Sequence, residues 1–240
     1  MPIREFDETL SRFGLDRLKR GLDLQLTETG DLATTRDGDL QLGNTQANAL
    51  FRLVERWRHS ETTIGELFPT MVRAAAELKK LSEARDRGEA PELHVNPMEY
   101  HATTEAIIEA DLLSSTLAGA IFVILNNLLI RLKLDLGASH EEWRLAAPLI
   151  KGQSVGQIVS AAAANFRHFD EWSATRMPTK EQLKSMNVLC AVLGCPVQSA
   201  KGFPTIRSNV CGAVLEHLVQ GSLDTLHEST FAYAKSLAKY

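Results

Sequence analysis

Cysteine, aromatic residues and known catalytic motifs are all scarce in this 240-residue sequence. Its three cysteines are an odd number and form no C-x-x-C pair, which argues against a disulfide framework and against a zinc ribbon. Aromatic residues make up 6% of the chain, so few rings are available to stack on bases. No P-loop, G-x-G-x-x-G or H-E-x-x-H motif occurs, which excludes the commonest nucleotide-binding and zinc-protease signatures. We therefore expect neither a cofactor nor a metal ion.

A large excess of charge of either sign is also missing. The chain has 26 Lys and Arg against 30 Asp and Glu, so its formal net charge is −4, and a nucleic acid would need a local basic patch. The content of 44% hydrophobic and 23% charged residues is typical of a soluble globular protein. The first 20 residues mix both charge signs and lack the apolar stretch of a secretory signal, so we expect a cytoplasmic protein.

One uncharged run, residues 112–130, is long enough to cross a membrane. Polar residues interrupt it, and the helical pattern continues through Arg131 and Lys133. These features favour a buried core helix, and we predict no membrane partner.

Helix start and stop signals recur along most of the chain, which predicts a mainly α fold. Asn44 is the predicted N-cap of a helix over 45–60, and Thr63 to Glu66 has the capping-box spacing that opens another. The longest pattern covers 100–135, with a kink predicted near Gly119. A further helix is predicted at 3–20 and ends near Gly21. Capping boxes at Ser139, Ser154 and Thr179 open helices at 140–147, at 154–172 and after Thr179, and the last two helices are predicted at 207–220 and 222–239.

The tract 88–97 contains three Gly or Pro residues and is a predicted linker. It divides the chain into an N-terminal unit, 1–90, and a C-terminal antiparallel helical bundle, 98–240. The fold class that we predict is an antiparallel helical bundle with a small N-terminal β meander.

The predicted meander rests on an eight-residue repeat, LDLQLTET-GDLATTRD-GDLQLGNT. Thr29-Gly30 and Asp37-Gly38 are turn signals between alternating segments, so we predict three short strands over 22–43. A calcium site is the alternative for the repeated aspartates, and the missing D-x-D-x-D spacing argues against it. The repeat resembles the strand repeats of phage baseplate proteins. Three aspartates recur at the same repeat position, each before a leucine: Asp23, Asp31 and Asp39.

The densest group of chemically active residues lies between Asn165 and Trp172. On a helix, Asn165, His168 and Glu171 share one face. Histidine exchanges protons near neutral pH, and Arg167 can bind a phosphate through two hydrogen bonds. A metal-independent ribonuclease needs these groups, because its substrate supplies the 2′-hydroxyl as nucleophile. The structural alternative is that His168 anchors a helix end and that Arg167 forms a solvated ion pair with Glu171.

The second half of the chain is similar to the HEPN superfamily of prokaryotic defence and toxin ribonucleases. Over residues 100–240, a long apolar helix ending in Asn126-Asn127 is followed by a further helix and then by Asn-x-Arg-His with an acidic-Trp tail. The resemblance implies an RNA substrate, a homodimer with one shared cleft, and an antitoxin or another defence partner. The implied roles are a general acid/base for His168, phosphate binding for Arg167, and orientation by Asn165 and Glu171.

The sequence departs from the HEPN pattern in the spacing of its arginine and histidine. HEPN nucleases have four to six residues between the two, whereas Arg167 and His168 are adjacent, and an R-x6-H pair from Arg52 to His59 lies outside the matching region. Residues 173–240 have a net charge of +3, from seven Lys and Arg against four Asp and Glu, which offers a shallow basic field next to the cluster.

Two functions follow from these observations. The first is an RNA-directed defence or toxin protein, a metal-independent endoribonuclease that dimerises through the apolar helix around 112–134. The alternative is a non-catalytic helical interaction protein, either a sensor or scaffold of a defence operon or a phage-related assembly component, which the repeat supports.

Overall fold

A computed structural model describes residues 6–19, 24–174, 177–200 and 202–239. Within these ranges the chain is mainly helical and has a small two-strand antiparallel sheet. In chain order the elements are α1 (Phe6–Arg12), a 3-10 helix (Asp16–Lys19), α2 (Thr45–Asp86), α3 (Pro97–Leu136), α4 (His140–Leu145), β1 (Leu149–Ile150), β2 (Gln153–Ser154), α5 (Val155–Ala174), α6 (Lys180–Leu193), α7 (Cys211–Val219) and α8 (Leu223–Leu237).

The two longest helices, α2 and α3, form an antiparallel hairpin whose tip is the predicted linker. The predicted cap of α2 is confirmed, because the Asn44 side chain accepts a hydrogen bond from the Ala47 amide at 2.7 Å. Asn96 caps α3 in the same way, and Pro97 occupies the first turn, where its missing N–H leaves no intrahelical bond unmade.

The prediction of two separate helices before the linker is wrong, because α2 runs unbroken through Thr63 and through Pro69. Side chains on both sides of Thr63 belong to the same buried core, among them Trp57 and Phe68. Packing of this continuous apolar side outweighs the local capping signal and the hydrogen bond that proline cannot make.

The apolar run of α3 packs mainly within its own chain. By length and composition α3 could cross a membrane, but half of its most apolar 18-residue window is buried, and the fold is compatible with a soluble protein. Much of the surface of 112–134 covers the chain's own core, and dimerisation through this stretch stays a prediction. The fully or nearly buried apolar residues of this stretch are Ala118, Ile121, Phe122, Leu125, Leu128, Leu129 and Leu132.

At Gly119, where we predicted a kink, the Phe166 side chain of α5 packs directly against the backbone of α3. A Cβ atom at this position would collide with the ring of Phe166. The glycine therefore admits an aromatic ring between the two helices, which is a packing role.

Three predicted capping boxes begin the shorter helices of the C-terminal half. The side chains of Ser139, Ser154 and Thr179 each accept a bond from an amide three residues later. α6 ends at Gly194, which has the left-handed φ of +72° that a helix C-cap favours. α7 begins at Cys211 instead of the predicted residue 207, without a side-chain cap.

The predicted N-terminal helix over 3–20 is shorter in the structure. α1 ends at Arg12, and Gly14 turns the chain with a left-handed φ of +64° before the 3-10 helix. Phe13 stacks on Phe231 of α8, with ring centroids 3.6 Å apart. The predicted end of this helix, Gly21, lies outside the described residues.

One hydrophobic core includes residues of both predicted units, 1–90 and 98–240. Trp57 of α2 lies 5.0 Å from Phe231 of α8, measured between ring centroids. The tract 88–97 is thus the tip of a hairpin whose two helices pack against each other along their length.

The predicted three-strand meander is not confirmed as continuous strands. In the bridged segment, which we define as residues 24–42, three isolated antiparallel bridges join Leu24 to Leu42, Leu26 to Leu32 and Thr34 to Leu40. Residues 22 and 23 of the prediction lie outside the described ranges.

We expect Gly119→Ala to lower the free energy of unfolding by about 1–3 kcal/mol, because the new methyl group overpacks the contact with Phe166. Gly65→Ala is the matched control, since a Cβ at this α2 position meets no atom within 4 Å. It should stabilise the protein by about 0.5–1 kcal/mol, as alanine does in a helix interior. Urea denaturation measures both values, and equal effects of the two substitutions would contradict this packing.

Candidate functional site

Asn165, the first residue of the predicted site, is completely buried and has a structural role. Its Nδ2 donates to the carbonyl of Ser208 at 3.0 Å, and its Oδ1 accepts from the amide of Val210 at 2.9 Å. These bonds satisfy two backbone groups of the loop that leads into α7. A buried side chain used in this way has no access to substrate.

His168 lies at an interruption of α5, with a non-helical φ of −134° and ψ of 16°. Its Nδ1 is 3.0 Å from Oε1 of Glu171, and about half of each side chain is exposed (51% and 60%). The structure therefore brings these two predicted residues together in contact with solvent. An ion pair this exposed contributes at most about 1 kcal/mol to stability.

Arg167 is also exposed, and its Nε donates to the carbonyl of Ala163 one turn earlier at 3.1 Å. Its Nε is thus bound to the α5 backbone, whereas the ring of His168 contacts Glu171. Of the four predicted residues, the structure thus pairs His168 with Glu171, exposes Arg167 and buries Asn165.

The clefts found in the described part of the chain are lined by other residues. A cleft of about 790 Å³ lies between the bridged segment and the end of α3, next to Arg131 and Asp135. Another of about 430 Å³ lies between α4, α5 and α6 and is lined by Gln157 and Lys184. None of the four predicted residues lines these clefts or the three others found in the same ranges.

The R-x6-H pair on α2 does not form a cleft either. Arg52 donates to the carbonyl of Leu40 at 2.9 Å and to Glu55 at 3.0 Å, so it anchors the bridged segment. The exposed His59 lies seven positions after Arg52, which places the two about 10 Å apart along the helix.

A second R-x6-H pair, Arg87 to His94, lies at the hairpin tip. Arg87 binds both carboxylate oxygens of Glu89, at 2.7 and 2.9 Å, and His94 is 3.0 Å from Glu92. The hydrogen bonds raise the pKa of Arg87 and lower that of Glu89. Both basic side chains therefore already have carboxylate partners.

A G-x-S-x-G sequence at 152–156 includes β2 and the first residues of α5, a strand-to-helix context in which serine hydrolases place their nucleophile. Ser154 is completely buried, and its hydroxyl donates to the carbonyl of Trp143 at 2.8 Å. The same oxygen caps α5 by accepting from the Gln157 amide. The serine is therefore a buried cap and not an exposed nucleophile.

Two of the three thiols, those of Cys190 and Cys211, are not poised for chemistry or metal binding. Burial raises the pKa of Cys211 to about 12, and burial beside Cys195 raises that of Cys190 to about 12. Such thiols stay protonated at neutral pH, whereas metal ligation and nucleophilic attack need the thiolate. Among the described residues, no three His, Cys, Asp or Glu side chains are grouped to hold a metal ion.

The bridged segment closes on itself through three backbone hydrogen bonds. The amide of Gln25 donates to Gln41, that of Gln41 to Ala33 and that of Ala33 to Gln25, at 3.0, 2.9 and 2.8 Å. The participating residues are eight apart, so each repeat contributes one donor and one acceptor. Gly30 and Gly38 make equivalent turns, with φ of +88° and +87°.

Side chains of two helices fix the bridged segment to the body. The Asn48 side chain accepts from the amide of Leu42 at 3.1 Å, and Arg52 binds the carbonyl of Leu40. Arg131 of α3 forms an ion pair with Asp37 at 3.0 Å. These contacts hold a short segment of irregular backbone in a defined position.

Four leucines of the bridged segment remain exposed although the segment is well anchored. Gln25, Ala33 and Gln41 are half-buried; of the five leucines that flank them, four are open to solvent and Leu42 is half-buried. We identified the repeat from the sequence but did not predict this exposed surface. The leucine after each repeated aspartate is the sequence feature that could have indicated it. The four exposed side chains are Leu24, Leu26, Leu32 and Leu40, each 44–64% exposed.

Comparisons with protein-family models, curated proteins and solved structures find no match to this chain. The protein is therefore described by its own structure. It is mainly helical, and it has an anchored bridged segment with exposed leucines and an exposed His168–Glu171 pair.

We expect Asn165→Ala to lower the free energy of unfolding by about 1–3 kcal/mol, because it leaves the Ser208 carbonyl and the Val210 amide without their partner. His168→Ala should change it by less than about 0.5 kcal/mol, as is usual for an exposed side chain. Chemical denaturation of both variants measures the difference. Equal stability of Asn165→Ala and the unsubstituted protein would contradict the structural role.

Proposed function

We propose that this chain is a non-catalytic helical interaction protein, a cytoplasmic scaffold or sensor subunit of a larger assembly. The observation that supports this most is the anchored bridged segment with its exposed leucines. The resemblance of the repeat to phage baseplate proteins makes a phage-related assembly the specific form of the proposal.

The energetics of the bridged segment favour a binding role. Full burial of one leucine side chain contributes about 1.5–3 kcal/mol, so four half-exposed leucines leave much apolar surface in water. Exposed apolar groups held by a rigid backbone lose little conformational entropy when a partner covers them. Leu26 and Leu32, which face each other across a bridge, are the centre of the proposed surface.

A ribonuclease of the HEPN type is the second candidate. The observation that favours it is the solvent-exposed contact between His168 and Glu171, which would let the imidazole exchange a proton with a bound RNA. In this proposal Arg167 binds phosphate, two protomers share a cleft, and an antitoxin is the protein partner. The buried Asn165 has only an indirect role through its hold on the loop before α7.

The interaction role predicts that Leu26→Ser with Leu32→Ser removes a partner protein that the unsubstituted chain binds. The matched control is Leu145→Ser with Leu149→Ser, two leucines of similar exposure outside the bridged segment. Each variant, purified from its source cells, is compared for co-purifying proteins that also co-elute in size-exclusion chromatography. Loss in the first variant alone is expected, and equal recovery from all three proteins would contradict the proposal.

The two candidates differ in their effect on RNA. We expect neither the purified protein nor its His168→Ala variant to cleave total RNA in EDTA, which inhibits contaminating metal-dependent nucleases. Cleavage by the unsubstituted protein that is lost in His168→Ala would instead establish the ribonuclease. Equal cleavage by both would remove His168 from any mechanism.

A further inference from the structure

The first half of α3 has one side that no other element covers among the residues that the structure describes. We define the acidic α3 face as Met98, Glu105, Ile108, Glu109, Leu112 and Leu113, all of which are exposed. Their spacing places them on one side of the helix, opposite residues such as Ala110 and Ser114, which are buried.

α5 covers the same side of α3 further along the chain. Gly119 lies seven residues after Leu112, hence on the same side of the helix, and there the Phe166 ring of α5 packs against the backbone. The uncovered surface is therefore the continuation of an established helix–helix contact. It extends over about 22 Å from Met98 to Leu113.

The apolar residues of this face have the spacing used in helix–helix packing. Ile108 and Leu112 are four residues apart and are 60% and 63% exposed, while Met98 is 81% exposed. Side chains at this spacing form a ridge that fits the groove of another helix. A helix that leaves such a ridge in water is typical of a binding surface.

The charges beside the ridge are all of one sign. Glu105 and Glu109 flank Ile108, four residues apart, where like charges destabilise a helix by a few tenths of a kcal/mol, roughly. Among the residues that the structure describes, neither carboxylate has a cationic partner. Residues 88–130 contain six Asp or Glu and no Lys or Arg.

These charges indicate which kind of partner the acidic α3 face binds. A second copy that pairs through the same face would bring the same carboxylates together, because residues 88–130 contain no lysine or arginine to offset them, and like-charge contacts disfavour a complex. RNA and an anionic lipid surface are repelled for the same reason. A helix with lysine or arginine beside its apolar residues complements both the ridge and the charge.

The geometry points to the acidic α3 face as a docking site for a basic amphipathic helix of a partner protein. The partner places apolar residues against Ile108 and Leu112 and its cations against Glu105 and Glu109. This inference rests on the proposed interaction role, but it concerns a surface that the substitutions at Leu26 and Leu32 leave intact. The two proposals can therefore fail separately.

The test uses three fluorescein-labelled 18-residue peptides and the full chain in fluorescence anisotropy. The first has leucine at helical spacing with lysine on both flanks, the second is a scramble of the same composition, and the third has glutamate in place of lysine. The lysine peptide should bind at least about tenfold more tightly than the scramble, because only it presents an apolar ridge. The glutamate peptide should not bind.

Substitutions on the face complete the test. Ile108→Ser with Leu112→Ser and, separately, Glu105→Lys with Glu109→Lys should each weaken binding of the lysine peptide by at least about tenfold. The charge reversal should also allow the glutamate peptide to bind. Glu181→Lys with Glu228→Lys, two exposed positions on α6 and α8, adds the same charge elsewhere and should leave the affinity within about twofold.

All these side chains are exposed, and circular dichroism verifies the fold of each variant. Equal binding of the lysine peptide and its scramble would reduce the effect to general charge attraction and overturn the inference. An affinity that does not change in either pair of α3 substitutions would do the same. A dimer in sedimentation equilibrium that Ile108→Ser with Leu112→Ser dissociates would assign the face to a second copy and overturn it as well.

Discussion

Side chains along one side of α3, among them Phe122, Leu125 and Leu129, are completely buried beneath α2, α5 and α7. Burial of each contributes about 1.5–3 kcal/mol, so this helix organises the core on which the other elements pack. The close approach of α5 depends on the missing side chain of Gly119. Asn165, on the same helix as Phe166, binds the loop before α7.

Local signals predicted the helix beginnings well, because a cap involves atoms within three or four residues. Asn44, Ser139 and Thr179 behave as their sequence context indicates. Tertiary packing decided what local signals could not. Thr63 has the spacing of a cap but lies inside α2, where the core holds both of its flanks in one helix.

The candidate site was predictable only in part for the same reason. The sequence placed Asn165 and His168 on one helix face, but the partners of Asn165 are Ser208 and Val210, more than 40 residues away in the chain. The eight-residue repeat predicted turns at Gly30 and Gly38, which the structure confirms. The three backbone hydrogen bonds that join the repeats, and the side chains of α2 and α3 that anchor the segment, are contacts that no local sequence pattern encodes.

The two proposed binding surfaces both adjoin α3. The bridged segment contacts it at Arg131, and the acidic α3 face surrounds Ile108, about 35 Å away along the helix. Hydrogen exchange of the chain, alone and within the assembly isolated from its source cells, tests this most directly. We predict slower exchange in residues 24–42 and 98–113 of the assembled protein, with little change around His168. Unchanged exchange in both segments, with protection confined to the surroundings of His168, would contradict it.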